Sequence, residues 1–156
     1  MKRDIRVLLH DIRSVHNVGA IFRTSDAIGV SKIYLGGYSP MPVDRFNNPR
    51  ADFSKAALGS EKTMAWEGVE SPLALISKLK EEGFQVVSVE QDPTSADYKE
   101  VRMGERVLVI FGNEVAGVSK GLLEKSDVIA EIPMNGTKES LNISVSAGIV
   151  LYRWFD

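Results

Sequence analysis

The chain has 156 residues, of which 44% are hydrophobic and 26% are charged, and its formal net charge at pH 7 is −2. This length suits one domain, and the composition is that of a globular protein rather than a disordered or fibrous one. The chain contains no cysteine, which excludes disulfide bonds, a thiolate zinc site and a cysteine nucleophile.

Five short runs rich in Val, Ile and Leu are predicted to be β-strands. They are mostly apolar at both odd and even positions, which is typical of strands covered on both faces and therefore of a parallel sheet. The predicted strands are Ile5–Leu9, Lys32–Leu35, Gln85–Val89, Val107–Phe111 and Val128–Ile132. The predicted fold class is α/β, with a mostly parallel sheet flanked by helices.

Helical patterns alternate with these strands. Between the first two strands, apolar residues from Val18 to Ile28 share one side, and Gly29 is placed to end this helix. The other helices are predicted over Pro72–Glu82, from an N-cap at Ser119 to Lys125, and over Leu141–Phe155. The longest irregular stretch is Gly36–Asp52, and long loops in compact domains are often functional.

Charge is unevenly distributed along the chain. Residues 1–62 hold 10 Lys and Arg against 6 Asp and Glu, and the remaining residues hold 9 against 15. A basic surface for nucleic acid would therefore lie in the first part, although random variation in solvated charge gives the same asymmetry. Met1–Asp4 lead into a strand without the apolar segment of a signal peptide, and no stretch approaches the roughly 20 apolar residues of a membrane span. We expect a cytoplasmic protein with a single domain over residues 1–156.

The first segment that could carry chemistry is Asn17–Thr24, in the first predicted helix. At about 100° per residue, Arg23 projects almost opposite to the apolar side of this helix. Arg23 is therefore either a solvated surface arginine or a functional residue. Asn17 has an equally simple structural explanation, because Asn is a favoured N-cap.

The second segment is Phe111–Ser119, which follows a predicted strand. Its glycines, Gly112 and Gly117, invite comparison with a phosphate-binding loop, but Val118 stands where that motif needs lysine. The GxGxxG fingerprint is also missing, which disfavours an NAD-dependent oxidoreductase. The loop carries Glu114, which suits a ligand with cationic or hydroxyl groups, such as S-adenosylmethionine. The alternative is a tight turn with an exposed glutamate.

The third segment is Ile132–Gly148. Ser140 could cap the last helix through its hydroxyl group, whereas Asn142 stands at a helix entrance beside a strand end, where open α/β sheets bind ligands. After Ser146 the helix contains few charged residues. We expect it to be largely buried, with a second subunit as one possible cover.

Together and in this order, the three segments resemble the signature motifs of the SpoU (TrmH-like) branch of the SPOUT superfamily. The matches are an Asn followed six residues later by Arg, a strand leading into FGxExxG, and IPMxGxxxSLNxSV near the C-terminus. Ala57–Glu61 also resembles a linking segment of that family. The resemblance implies an α/β fold with a deep C-terminal trefoil knot, and a homodimer in which the partner chain completes each site. It further implies S-adenosyl-L-methionine as cofactor, no metal, and methyl transfer to a ribose 2′-hydroxyl of RNA, with tRNA favoured over rRNA.

The resemblance also implies roles for individual residues. It places in the cofactor pocket Gly112, Ile132, Ser140 and Leu141, and in the catalytic site Arg23, Asn17, Glu114, Ser140 and Asn142. Arg23 would act on the 2′-hydroxyl and, given its outward direction, would reach the partner's site. Because a guanidinium stays protonated in proteins, we expect Arg23 to hold the RNA phosphate and stabilise the developing alkoxide rather than act as a base. A non-catalytic RNA-binding or assembly protein with the same fold is the alternative.

Overall fold

The computed structural model describes residues 2–156, which form one sheet of seven parallel strands with helices on both faces. The strands are β1 (Asp4–His10), β2 (Lys32–Gly36), β3 (Trp66–Val69), β4 (Gln85–Val89), β5 (Ala96–Asp97), β6 (Arg106–Phe111) and β7 (Val128–Glu131). The helices are α1 (Val15–Ile28), α2 (Ala51–Ala57), α3 (Pro72–Glu81), α4 (Lys120–Glu124) and α5 (Ile143–Phe155). The strand order is β3-β2-β1-β6-β4-β7-β5, so the predicted α/β class is confirmed.

Apolar residues at both parities of the strands fill two separate core layers, as predicted. On one face, odd-numbered residues such as Val7 and Val109 pack beneath α1, α2 and α5. On the other face, even-numbered residues such as Leu8 and Leu108 pack beneath α3 and α4. The sheet is therefore covered on both sides, which is the usual state of a parallel sheet.

All five predicted strands and all four predicted helices are present, and two further strands and one further α-helix were not predicted. Strand β3 has the sequence WEGV and lies at the edge of the sheet, and β5 has only two residues. Helix α2 has seven residues, and it begins at Ala51, inside the stretch predicted to be irregular. None of the three carries a long periodic pattern of apolar residues, from which strands and helices are predicted in a sequence.

Helix α1 is held at both ends and along its length. The Ser14 hydroxyl accepts a hydrogen bond from the backbone N–H of Asn17, and Gly29 ends the helix in a left-handed conformation with φ of 88°. Along the helix, a Cβ built at Gly19 would lie 2.5 Å from the Cβ of Ala56 in α2. This close approach fixes α1 beside α2 and sets its N-terminus at the carboxyl edge of the sheet.

Helix α5 is less buried than its sequence predicts. Its buried residues are Ala147, Val150, Leu151 and Trp154, while Val145 and Tyr152 keep 48% and 44% of their surface exposed. In the single chain α5 is therefore buried on one side, while its other side has no neighbour within residues 2–156, and cover of that side by a second subunit stays a prediction. In the same part of the chain, no helix is long and apolar enough to cross a membrane.

Candidate active site

A cavity of about 560 Å³ opens at the carboxyl ends of β4, β6 and β7. It collects residues from all three of the segments singled out in the sequence. The predicted site residues that line it are Asn17, Gly112, Glu114, Ile132, Ser140, Leu141 and Asn142. Arg23 is exposed on α1 and does not line the cavity. The structure therefore brings seven of the eight predicted residues together and leaves the arginine outside.

The loop of residues 112–118, which we call the β6–α4 loop, forms one wall of the cavity. Asn113 and Gly117 exchange two backbone hydrogen bonds, with N···O distances of 3.1 and 2.9 Å. The Asn113 side-chain oxygen also accepts from the backbone N–H groups of Val115 and Ala116. A Cβ at Gly112 would overlap the carbonyl group of Gly117, so only glycine fits there. The loop is a closed turn with its shape fixed by its own contacts.

Glu114 ties this loop to the start of α1. Its two carboxylate oxygens accept hydrogen bonds from the backbone N–H groups of Arg13 and Ser14, at 2.9 and 3.0 Å. Burial raises the pKa of this carboxyl group, but the hydrogen bonds from Arg13, Ser14 and Asn17 outweigh it, so the pKa lies below its ordinary value. Glu114 is thus an ionised anchor rather than an exposed turn residue.

Asn17 belongs to the same cluster. The expectation that it caps α1 is wrong, because Ser14 takes that position. Asn17 is only 7% exposed, and its side-chain amide donates to Glu114 at 3.3 Å. It therefore holds α1 against the β6–α4 loop.

The part of the third segment that joins β7 to α5, residues 132–142, forms the opposite wall and is called the β7–α5 segment here. Strand β7 ends at Glu131, and α5 begins at Ile143 rather than at Leu141. The α5 cap is Asn142, whose side-chain oxygen accepts from the Ser144 backbone N–H at 2.9 Å, so the capping role considered for Ser140 is wrong. Ser140 and Leu141 are exposed at the cavity wall.

Two residues that line the cavity, Glu90 and Gln91, were not predicted from the sequence. The Glu90 carboxylate accepts from the backbone N–H of Val118 at 2.8 Å, and a Cβ at Gly117 would overlap it. The Gln91 side chain donates to the backbone oxygen of Glu139 at 2.8 Å. Their position in the sequence could have indicated this role, because both residues directly follow the predicted strand Gln85–Val89, at the edge where parallel sheets bind ligands.

Comparison with known proteins agrees with this geometry. Residues 4–152 match the sequence profile of the SpoU rRNA Methylase family. The chain belongs to this family. Its motif positions on the β6–α4 loop and the β7–α5 segment line the cavity, as does Asn17 on α1, whereas Arg23 lies outside it.

Three relatives illustrate the similarity. A tRNA (guanosine(18)-2′-O)-methyltransferase of Aquifex aeolicus is 34% identical, over 97% of this chain and 68% of its own length. A 23S rRNA (guanosine-2′-O-)-methyltransferase RlmB of Neisseria meningitidis is 33% identical, over 93% of this chain and 55% of its own. The AdoMet-bound rRNA methyltransferase structure from Sinorhizobium meliloti has 28% identity and a TM-score of 0.87, over 98% of this chain and 56% of that one. The chain thus spans about half to two thirds of the length of these relatives.

The charge lining this SpoU-family cavity is one-sided. Among the described residues, four glutamates and no lysine or arginine line it: Glu90, Glu114, Glu131 and Glu139. No group of three or more His, Asp or Glu side chains in residues 2–156 is arranged to hold a metal ion. The four glutamates favour a ligand that carries positive charge.

Proposed function

We propose that this protein is an S-adenosyl-L-methionine-dependent RNA 2′-O-ribose methyltransferase. The observation that carries the proposal is the meeting of three SpoU-like segments, with seven predicted site residues, around one cavity at the carboxyl edge of the sheet. The named activities of the Aquifex and Neisseria relatives support the same reaction, although each relative is longer than this chain.

The cavity fits the proposed cofactor in size and charge. Its volume of about 560 Å³ is within the usual range for small-molecule sites. S-adenosylmethionine carries a sulfonium and an ammonium group, which four lining glutamates favour over a ligand with phosphates. A nicotinamide dinucleotide has two phosphates and would meet no lining lysine or arginine, so the oxidoreductase alternative loses support. The backbones of Gly112, Ile132 and Leu141 would contact the adenosine part.

The chain's own residues would position the reactants. The bound cofactor supplies an electrophilic methyl group on its sulfonium. Glu114 and Asn17 hold α1 against the β6–α4 loop, so they are positioning residues for the cavity. The Asn142 amide nitrogen, which makes no hydrogen bond to the described residues, would orient the ribose. Arg23 would bind the RNA phosphate and stabilise the negative charge that develops on the 2′-oxygen while the hydroxyl proton passes to water.

Arg23 lies outside the cavity of its own chain, and a homodimer would explain how it reaches a cavity. The exposed face of α1 carries Arg23, and the exposed face of α5 carries Val145 and Tyr152. Two subunits that pack through these helices would cover the apolar side chains. The partner's arginine would then complete each cavity. The trefoil knot stays a prediction from the family resemblance, and the single domain over residues 1–156 stays a prediction from the length of the chain.

We favour tRNA over rRNA as the substrate, and we expect the protein to act in the cytoplasm, where such RNAs are found. The test is incubation of the full chain with radiolabelled S-adenosylmethionine and unmodified tRNA or rRNA, followed by digestion and analysis for 2′-O-methylated nucleosides. We expect labelled product with the wild type and none with Arg23→Ala. Cofactor binding without transfer to any RNA would support the non-catalytic RNA-binding alternative, and no cofactor binding would reject the enzyme.

A further inference from the structure

The loop of residues 37–50 joins β2 to α2 and is called the β2–α2 loop here. It exposes large side chains that do not line the cavity. Tyr38 and Phe46 keep 60% and 69% of their surface exposed, and Met41 keeps 40%. Aromatic rings are normally placed where they can bury much of their area. Two rings held in solvent on one loop indicate a surface for binding something.

The tip of this loop has a fixed shape. One carboxylate oxygen of Asp44 accepts from the backbone N–H groups of Phe46 and Asn48, at 2.8 and 3.0 Å. Asn47 adopts a left-handed conformation with φ of 64°, and Val43 pairs with Pro49 across the turn. The loop therefore presents Phe46 on an ordered turn, which lowers the entropy lost on binding.

The tip also places a guanidinium group beside the Phe46 ring. The Arg45 guanidinium lies 4.8 Å from the centre of the Phe46 ring, and it forms no ion pair with a carboxylate in residues 2–156. One oxygen of the adjacent Asp44 carboxylate accepts from two backbone N–H groups, and this carboxylate forms no ion pair with Arg45. An aromatic ring beside an unpaired guanidinium suits a nucleobase with its phosphate better than an apolar protein surface.

The base of the same loop reaches the cavity. The Tyr38 hydroxyl accepts a hydrogen bond at 2.8 Å from the side-chain amide of Asn113, which lines the cavity. The Tyr38 backbone N–H donates to Asp11 at the end of β1. The loop thus extends from the cavity rim at Tyr38 to an ordered tip that carries Arg45 and Phe46.

We propose that the β2–α2 loop binds unpaired nucleotides of the RNA next to the one that enters the cavity. Tyr38 and Phe46 stack on bases, and Arg45 contacts a phosphate. The proposal rests on the proposed function, because it takes the RNA to be the methyl acceptor at the neighbouring cavity. It predicts a preference for single-stranded RNA, whose bases are free to stack.

The test measures fluorescence anisotropy of a labelled oligouridylate, and of a labelled RNA duplex of equal length, with the full chain. Stacking on one aromatic side chain predicts that Phe46→Ala weakens oligouridylate binding by about 5-fold or more. Phe46→Trp should retain the affinity, whereas Phe46→Leu should lose it. The matched control is Leu73→Ala, which removes an exposed apolar side chain of α3 from the opposite face of the sheet and should change binding less than 2-fold in the same assay.

Several results would overturn the proposal. One is an affinity of Phe46→Ala equal to that of Leu73→Ala. Another is Phe46→Leu binding as well as the wild type, because an apolar contact would then suffice. Duplex binding equal to oligouridylate binding would reject stacking. Calorimetric titration with the cofactor and the methylation assay separate this proposal from the proposed function. If the wild type binds the cofactor and methylates RNA, but Phe46→Ala binds RNA as well as the wild type, only the role of the loop is rejected. If the wild type does not methylate RNA, the proposed function is rejected.

Discussion

The two walls of the cavity are held in different ways. The β6–α4 loop is fixed by backbone hydrogen bonds within it and by the hydrogen bonds of Glu114 to the start of α1. Glu90, which follows β4, adds a hydrogen bond to Val118. The β7–α5 segment has residues 135–142 exposed, and within the described chain Gln91 supplies one hydrogen bond to it, at Glu139. One wall is therefore formed before a ligand arrives, while the other has few contacts that order it.

This difference suggests how the proposed cofactor site works. A rigid wall holds a ligand in one orientation at little entropic cost, whereas a weakly held wall can close over it at some cost in ordering. Substitutions in the β6–α4 loop should therefore damage both stability and binding. Substitutions in the β7–α5 segment should affect binding with little effect on the free energy of unfolding.

The largest effect is expected for Gly112→Ala. A methyl group there would overlap the backbone at Gly117 and force the loop open, at a cost of about 1–3 kcal/mol in unfolding free energy. We expect cofactor affinity, measured by calorimetry, to fall by about tenfold or more, because the backbone proposed to contact the adenosine part moves. Gly121→Ala in α4, where a Cβ meets nothing within 4 Å, is the control. Equal affinity for both variants would show that the wall is not rigid.

Glu114→Gln should have the next largest effect. Glutamine keeps one acceptor oxygen but cannot accept from Arg13, Ser14 and Asn17 together, so we expect a loss of about 1–3 kcal/mol in chemical denaturation. The matched control is Glu139→Gln in the exposed β7–α5 segment, where a change below about 0.5 kcal/mol is expected. Similar losses for the two variants would remove the contrast between the walls.

Acidification should weaken the same anchor. Because the pKa of Glu114 is lowered in the folded protein, its contribution to stability is complete above the ordinary value of 4.5 and is lost as the pH falls through the lowered value. The difference in Tm between the wild type and Glu114→Gln should therefore be constant above that pH and shrink below it. A difference that stays constant into strong acid would mean that the carboxylate charge does not hold α1.

The smallest effect is expected for Gln91→Ala, which removes the hydrogen bond to the β7–α5 segment. Stability should change by less than about 0.5 kcal/mol, because the segment is exposed. Cofactor affinity should fall a few fold, since the segment then has to be ordered without this support. Asn135→Ala, an exposed change in the same segment, is the control. A large loss of stability in Gln91→Ala would show that this wall is also fixed in advance.

The sequence predicts most of the fold because the central strands are long apolar runs and the helices between them end at glycines such as Gly29 and Gly83. The missed elements are edge strands and a short helix, whose existence depends on neighbours in the folded chain rather than on local pattern. For the same reason the capping residues were misjudged: Ser14 and Asn142 take the caps considered for Asn17 and Ser140.

For the site, family-like motifs placed seven residues at one cavity, but they did not show what those residues contact. The link from Glu114 to α1 joins residues about a hundred positions apart in the chain, so no local pattern contains it. Glu90 matches no motif and is found only by its place at a strand end. The outward direction of Arg23 was predicted from helical spacing, and its exposed position outside the cavity lining agrees with that prediction.

The central claim is that Arg23 completes the cavity of a partner subunit, and mixed dimers test it directly. Arg23→Ala and Gly112→Ala chains are each expected to be inactive alone in methyl transfer to RNA. When the two are co-expressed, a mixed dimer has one site with an intact cavity and the partner's intact arginine, so activity should return to about a quarter of the wild-type value for random pairing. A co-expressed sample that stays inactive, with mixed dimers demonstrated by affinity tags, would contradict the account and place Arg23 at the site of its own chain.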